Sequence, residues 1–167
     1  MSAGESGVDK EAPGWEAALP SVYLHPGQLF ASAEPASVTT VLGSCVSVCL
    51  WDRDRGIGGI NHFVLPIWAG NGTSSSRFGN VAMEALLTRL VGLGASARKV
   101  EAKVFGGACM IQAFRRRERH LGGQNVDRAM AFLQERGVPI SSQDTGGHRG
   151  RKLIFHTATG AVWLKEL

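Results

Sequence analysis

No apolar run in the sequence approaches the roughly 18–20 residues that a membrane-spanning helix needs, so a helical membrane protein is excluded at the outset. Met1 to Pro20 has neither the basic start nor the apolar stretch of a secretory signal, which predicts a protein that stays in the cytoplasm. Cysteine is scarce. Cys45, Cys49 and Cys109 cannot all pair within one chain, and without export they read as reduced thiols. The phosphate-binding G-x-x-x-x-G-K-[ST], the dinucleotide G-x-G-x-x-G, the metalloprotease H-E-x-x-H and the C-x-x-C pair are all missing. Cys45 and Cys49 are four apart with no matching His or Cys pair downstream, so no zinc site is expected.

What is present is a 167-residue chain with 44 % apolar residues and 22 glycines, enough for one core and many tight turns. Charge is unevenly spread. Residues 1–20 carry four acidic side chains against one basic, net −3, and the body from residue 21 carries seventeen basic against ten acidic, net +7. Such a body favours acidic partners. Its densest run, Arg115-Arg116-Arg117-Glu118-Arg119, lacks interleaved aromatics and any nucleic-acid motif, and reads as a solvated loop or helix end. Neither nucleic-acid binding nor membrane insertion is expected. Residues 1–20 read as a mobile acidic tail, and residues 21–167 as one folded domain.

From Ser21 the pattern becomes strand-like, interrupted by His25-Pro26-Gly27. Ser37–Leu42 is a second β segment. Val46, Val48 and Leu50 alternate with Cys45, Ser47 and Cys49, and Gly59–Leu65 answers them across the polar turn Asp52–Gly56. Met83, Leu86, Leu87, Leu90 and Val91 form a helical stripe stopped by Gly94. Val126, Ala129, Met130 and Leu133 form a second, with Asn125 as its expected cap. Lys99–Phe105 is a strand between the helices, and Lys152–His156 with Gly160–Leu164 a closing hairpin. The result is an α+β domain of seven or eight strands and two helices, without the sustained βαβ alternation of a doubly wound fold.

Cys45 is the candidate nucleophile. It follows Gly43-Ser44 at the mouth of a strand, where a glycine turn exposes a side chain and leaves the backbone N–H groups of Ser44 and Cys45 free to hold an oxyanion. Most free cysteines are simply small buried hydrophobes, and Cys49 and Cys109 read that way. A hairpin turn centred between Arg53 and Asp54 puts His62 directly opposite Cys45 on the same face. A one-residue slip would separate them. In such a pair the imidazole lowers the thiol pKa and shuttles the proton. No Asp or Asn is placed to orient the ring, but Thr39 and Thr40 lie just before the glycine turn.

Thr39-Thr40-Val41-Leu42-Gly43-Ser44-Cys45-Val46-Ser47-Val48 and Gly59-Ile60-Asn61-His62-Phe63-Val64-Leu65-Pro66 resemble the signature of the CheD family, the chemoreceptor glutamine deamidases. Asn80–Met83, Glu101–Ala108, Gly122–Asn125 and Asp144–Gly147 extend the resemblance, in order, over about residues 22–164. It implies a single domain of layered mixed β-sheets flanked by two helices, similar to the cytotoxic necrotizing factor-like cysteine hydrolase fold. It also implies catalytic Cys45 and His62, with the orienting threonine six positions before the cysteine, at Thr39, and Thr40 as the neighbouring alternative. The implied reaction hydrolyses glutamine side-chain amides on the cytoplasmic helices of methyl-accepting chemotaxis receptors through a thioester, with no metal or organic cofactor. Many members of the family also bind CheC, the phosphatase of the response regulator, so a CheC-type partner is implied. An adaptor with a vestigial site and a peptidase or transglutaminase-like acyltransferase are the competing readings.

Overall fold

The alternation of Val46, Val48 and Leu50 with Ser47 and Cys49 governs the architecture, because both faces of that strand are buried. In the computed structural model, which describes residues 11–117 and 119–167, nine strands form two sheets. Strands β1 (Ser21–Tyr23), β3 (Ser37–Leu42), β8 (Arg151–His156) and β9 (Val162–Glu166) make a four-stranded sheet in the order β1-β3-β8-β9. Strands β2 (Leu29–Ser32), β4 (Val46–Asp52), β5 (Ile57–Asn61), β6 (Val100–Gly106) and β7 (Ile140–Thr145) make a five-stranded sheet in the order β2-β5-β4-β6-β7. Two helices, α1 (Gly79–Gly92) and α2 (Leu121–Glu135), cover the outer face of the five-stranded sheet.

Two apolar layers follow. Val46, Val48 and Leu50 pack with Met83, Leu86, Leu90, Ala129 and Leu133 under the helices. Cys49, Ile60 and Phe105 pack with Val38, Leu42, Leu153 and Phe155 between the two sheets. The expected α+β class and the two helices are present. Helix α1 ends as its stripe predicts, with Gly94 in the left-handed region at φ 110°.

Three expectations shift. Strand β7 has no mark in the sequence pattern: Ile140-Ser-Ser-Gln-Asp-Thr lies on an exposed edge, so no alternation signals it. It pairs parallel to β6 with α2 as the crossover, making one βαβ unit in an otherwise largely antiparallel sheet. Helix α2 starts four residues earlier than Asn125, and His120 caps it by accepting from the Gly123 N–H at 3.1 Å. The β4–β5 hairpin is shifted by two residues, pairing Asp52 with Ile57 and Cys49 with Ile60. The cause is Asp52, whose buried carboxylate accepts from the N–H groups of Asp54, Arg55 and Ser96 and so places the turn at Arg53–Gly56, where Gly56 takes φ 62°.

At the N-terminus, residues 1–10 of the expected tail lie outside the described residues. Glu16–Ala18 form a short 3₁₀ turn, and the Trp15 ring lies 5.0 Å from that of His156. Arg115–Arg117 and Arg119 are exposed, and the Arg117 guanidinium sits 4.5 Å over Phe114. Glu118 lies outside the described residues. Among the described residues, no helix is long and apolar enough to cross a membrane.

Candidate active site

A two-residue shift of register preserves parity, so Cys45 and His62 still face the same side. Val46 pairs with Phe63 across the end of the hairpin, which makes His62 a diagonal rather than direct neighbour of Cys45. That side is the layer between the sheets: Cys49 and Ile60, two strand repeats from Cys45 and one from His62, are both in its core. Cys45 itself is half-buried against this layer, while Cys49 and Cys109 are buried. Burial pushes the Cys49 thiol far above its ordinary value.

The four-stranded sheet supplies the ring's partner. Val38, Thr40 and Leu42 alternate inward from β3, and the Thr40 Oγ1 lies 2.7 Å from His62 Nδ1. Thr39, expected there from the resemblance, lies on the opposite face of the strand with exposed Val41. The contact therefore belongs to Thr40, and strand parity is the reason.

Thr40 also fixes the tautomer. Its hydroxyl donates to the Leu24 carbonyl at 2.8 Å. A hydroxyl has one proton and a carbonyl can only accept, so Thr40 receives its second bond from His62 Nδ1–H. Nε2 is then the unprotonated nitrogen. It is buried and has no hydrogen-bond partner among the described residues. Backbone bonds fix the histidine from both sides: its N–H donates to the Gln28 carbonyl and its carbonyl accepts from Gly27 N–H.

Burial also sets the charge state. It depresses His62 to about 4, helped by the neighbouring charge of His25. Burial raises the Cys45 thiol, against the pull of the Arg77 guanidinium and of its own backbone N–H, which lowers it. Burial thus favours the neutral form of both groups, against the lowered thiol pKa expected from the bare pairing. Among the described residues, no hydrogen bond joins Cys45 Sγ to the ring. Catalytic contacts in substrate-free sites are often loose in this way.

The loop that carries Cys45 is buttressed by glycines. Gly107 N–H donates to the Cys45 carbonyl and Ala108 N–H to that of Gly43, both at 2.9 Å. Gly106 has φ 106°, and a Cβ there would stand 2.2 Å from the Cys45 carbonyl oxygen, so only glycine fits. Among the described residues no backbone carbonyl accepts from the N–H groups of Ser44 and Cys45, and that of Cys45 faces its own thiol. Asn125, expected only as a helix cap, reaches from α2 to the same loop, donating to the Ser44 carbonyl at 3.0 Å and the Val64 carbonyl at 2.9 Å. Its position on the apolar stripe one step before Val126 was the available signal, since a buried polar residue there needs partners. No group of three or more His, Cys, Asp or Glu among the described residues could hold a metal ion.

The arrangement defines a cysteine–histidine site in an α+β domain: a half-buried thiol at a glycine turn, facing a buried imidazole whose Nδ1–H is held by a threonine. A family model described as CheD chemotactic sensory transduction matches residues 65–166. The sequence is 49 % identical over 146 residues to the probable chemoreceptor glutamine deamidase CheD 1 of Anaeromyxobacter dehalogenans, covering 87 % of this chain and 84 % of that protein. It is 44 % identical over 142 residues to the probable chemoreceptor glutamine deamidase CheD of Trichlorobacter lovleyi, covering 85 % and 88 %. The chain belongs to the CheD family. Among solved structures, Neisseria meningitidis protein NMB0706, of family model DUF152, superposes with a TM-score of 0.47 at 12 % identity over 84 % of this chain and 76 % of that one, a likeness too distant to carry an assignment.

Proposed function

We propose that this protein is a chemoreceptor glutamine deamidase, converting glutamine side chains on the cytoplasmic helices of methyl-accepting chemotaxis receptors to glutamate. The observation that carries this reading is the tautomer of His62: Thr40 holds the proton on Nδ1 and leaves Nε2 as a base in the layer that Cys45 faces. The names of the relatives supply the substrate class.

In the proposed reaction, Cys45 Sγ forms a bond to the carboxamide carbon as its proton passes to His62 Nε2. The carbonyl oxygen takes the electron pair and is held by the N–H groups of Ser44 and Cys45. Collapse breaks the C–N bond, and the imidazolium returns its proton to departing ammonia, leaving a thioester. Water then attacks the thioester carbon with His62 Nε2 again taking the proton. Breaking the C–S bond releases glutamate, and the thiolate regains the proton from His62. Thr40, not Thr39, keeps the ring aligned through both halves. The substrate places the protein in the cytoplasm, and a CheC-type phosphatase is the further partner.

Incubating the protein with a receptor cytoplasmic fragment and mapping glutamine-to-glutamate conversion by mass spectrometry tests this. Conversion at discrete glutamines with wild type and none with Cys45→Ala is expected. Equal conversion by both would remove Cys45 from the mechanism, and no conversion by either would remove the activity.

A further inference from the structure

Asn125 is fully buried in α2, at a place where an apolar side chain would be ordinary. Both of its hydrogen-bond partners are carbonyls, which only accept, so the Nδ2 amide must face them and Oδ1 must face away. Oδ1 is buried with no partner among the described residues. An unpaired buried polar atom of this kind costs about 1–3 kcal/mol. Stability alone therefore does not account for an asparagine here, and what its two donors hold becomes the question.

The first donor holds Ser44 C=O, which shares a peptide plane with Cys45 N–H. That peptide is trans, so its N–H points opposite to its C=O. Helix α2 lies on the outer face of the five-stranded sheet. Drawing the Ser44 carbonyl toward α2 turns the Cys45 N–H the other way, toward the inter-sheet layer that the thiol and His62 face. The second donor ties the same side chain to Val64, two residues beyond His62. We propose that Asn125 is a positioning residue of this site, orienting the Cys45 N–H as the oxyanion donor and anchoring the His62 segment to the same point. The inference rests on the deamidase reading above.

The test is Asn125→Asp, which keeps the shape and replaces both donors with acceptors facing two carbonyls. Removing one oxyanion donor typically lowers kcat by about 100-fold or more, so a fall of about 100-fold in ammonia release from the receptor fragment is expected, with KM within about threefold of wild type. Alkylation of Cys45 by iodoacetamide displaces iodide and builds no oxyanion, so its rate at the high-pH plateau, where the thiol is fully ionised, should stay within about twofold of wild type. A merely structural role would move both rates together, and that result overturns the proposal, as does an unchanged kcat. If Asn125→Asp does not fold, Asn125→Ser, which retains one shorter donor, is read in the same way with a smaller fall, roughly 10-fold. Failure of both variants to fold assigns Asn125 to stability and equally overturns the proposal. The wild-type control separates the two claims: an inactive wild type strikes the deamidase reading and the inference with it, whereas an active wild type with an equally active variant strikes the inference alone.

Discussion

Replacing Thr40 with valine keeps the β-branched shape in strand β3 and removes a single oxygen. That oxygen joins the Leu24 carbonyl, at 2.8 Å, to His62 Nδ1, at 2.7 Å. Both partners lose their bond while remaining buried, and one such orphaned group costs about 1–3 kcal/mol. With two groups orphaned, Thr40→Val should therefore lose about 2–6 kcal/mol of stability in urea unfolding. The larger consequence is catalytic. Without an acceptor at Nδ1 the imidazole is free to carry its proton on Nε2, the position that must be empty to take the thiol proton. An orienting carboxylate contributes up to about 10⁴-fold through tautomer and alignment, and a neutral hydroxyl stabilises the imidazolium less, so a fall in kcat of about 10–100-fold is expected. Long-range ¹H–¹⁵N correlation of the His62 ring reads the tautomer directly, and ammonia release from a receptor fragment reads the rate. Thr40→Ser should recover part of the loss. Thr39→Val, on the other face of β3, should change the rate less than about twofold. A silent Thr40→Val beside a crippled Thr39→Val would refute the tautomer argument.

His62 is held near pKa 4 in the folded protein, below its unfolded value of about 6.5, so the unfolded chain binds the extra proton first. Its contribution is intact above about pH 6.5 and is lost as pH falls toward 4; urea unfolding should show about 2 kcal/mol less stability at pH 4.5 than at pH 7 from this group, and a flatter profile for His62→Gln. The raised thiol predicts that Cys45 alkylation climbs with an apparent pKa above the free-thiol value of about 8.5, and Arg77→Gln should move it higher still; a plateau already reached at pH 6 would instead reveal a resting ion pair. Gly106→Ala combines a strained φ of 106° with a Cβ 2.2 Å from the Cys45 carbonyl oxygen, and should cost about 3 kcal/mol or more in thermal or urea unfolding.

Much of this site is legible in the residue pattern, because strand parity survives errors of register. The turn expected between Arg53 and Asp54 is one position early, since the capping by Asp52 is a tertiary matter involving Ser96 as well as local backbone. The pairing moved by two residues, and Cys45 and His62 kept their common face. Between Thr39 and Thr40 parity also decides, but only once it is known which face of β3 meets the other sheet. That face is set by packing against β8 and the five-stranded sheet, beyond the reach of a local pattern. Strand β7 escaped because an exposed edge imposes no hydrophobic period, and Asn125 read as a cap because its partners, Ser44 and Val64, are distant in sequence. Burial raises the thiol and lowers the imidazole, the opposite of the lowered thiol pKa that residue identity alone suggests.

In the proposed reaction Cys45 forms a covalent bond to the carboxamide carbon of the receptor glutamine. Rapid acid quenching of the protein with a receptor fragment, followed by mass spectrometry of the Cys45 peptide, tests it most directly. A thioester adduct equal in mass to the two peptides less ammonia is expected, present transiently in wild type and absent from Cys45→Ala, which should also release no ammonia. Deamidation by Cys45→Ala at the wild-type rate would contradict it.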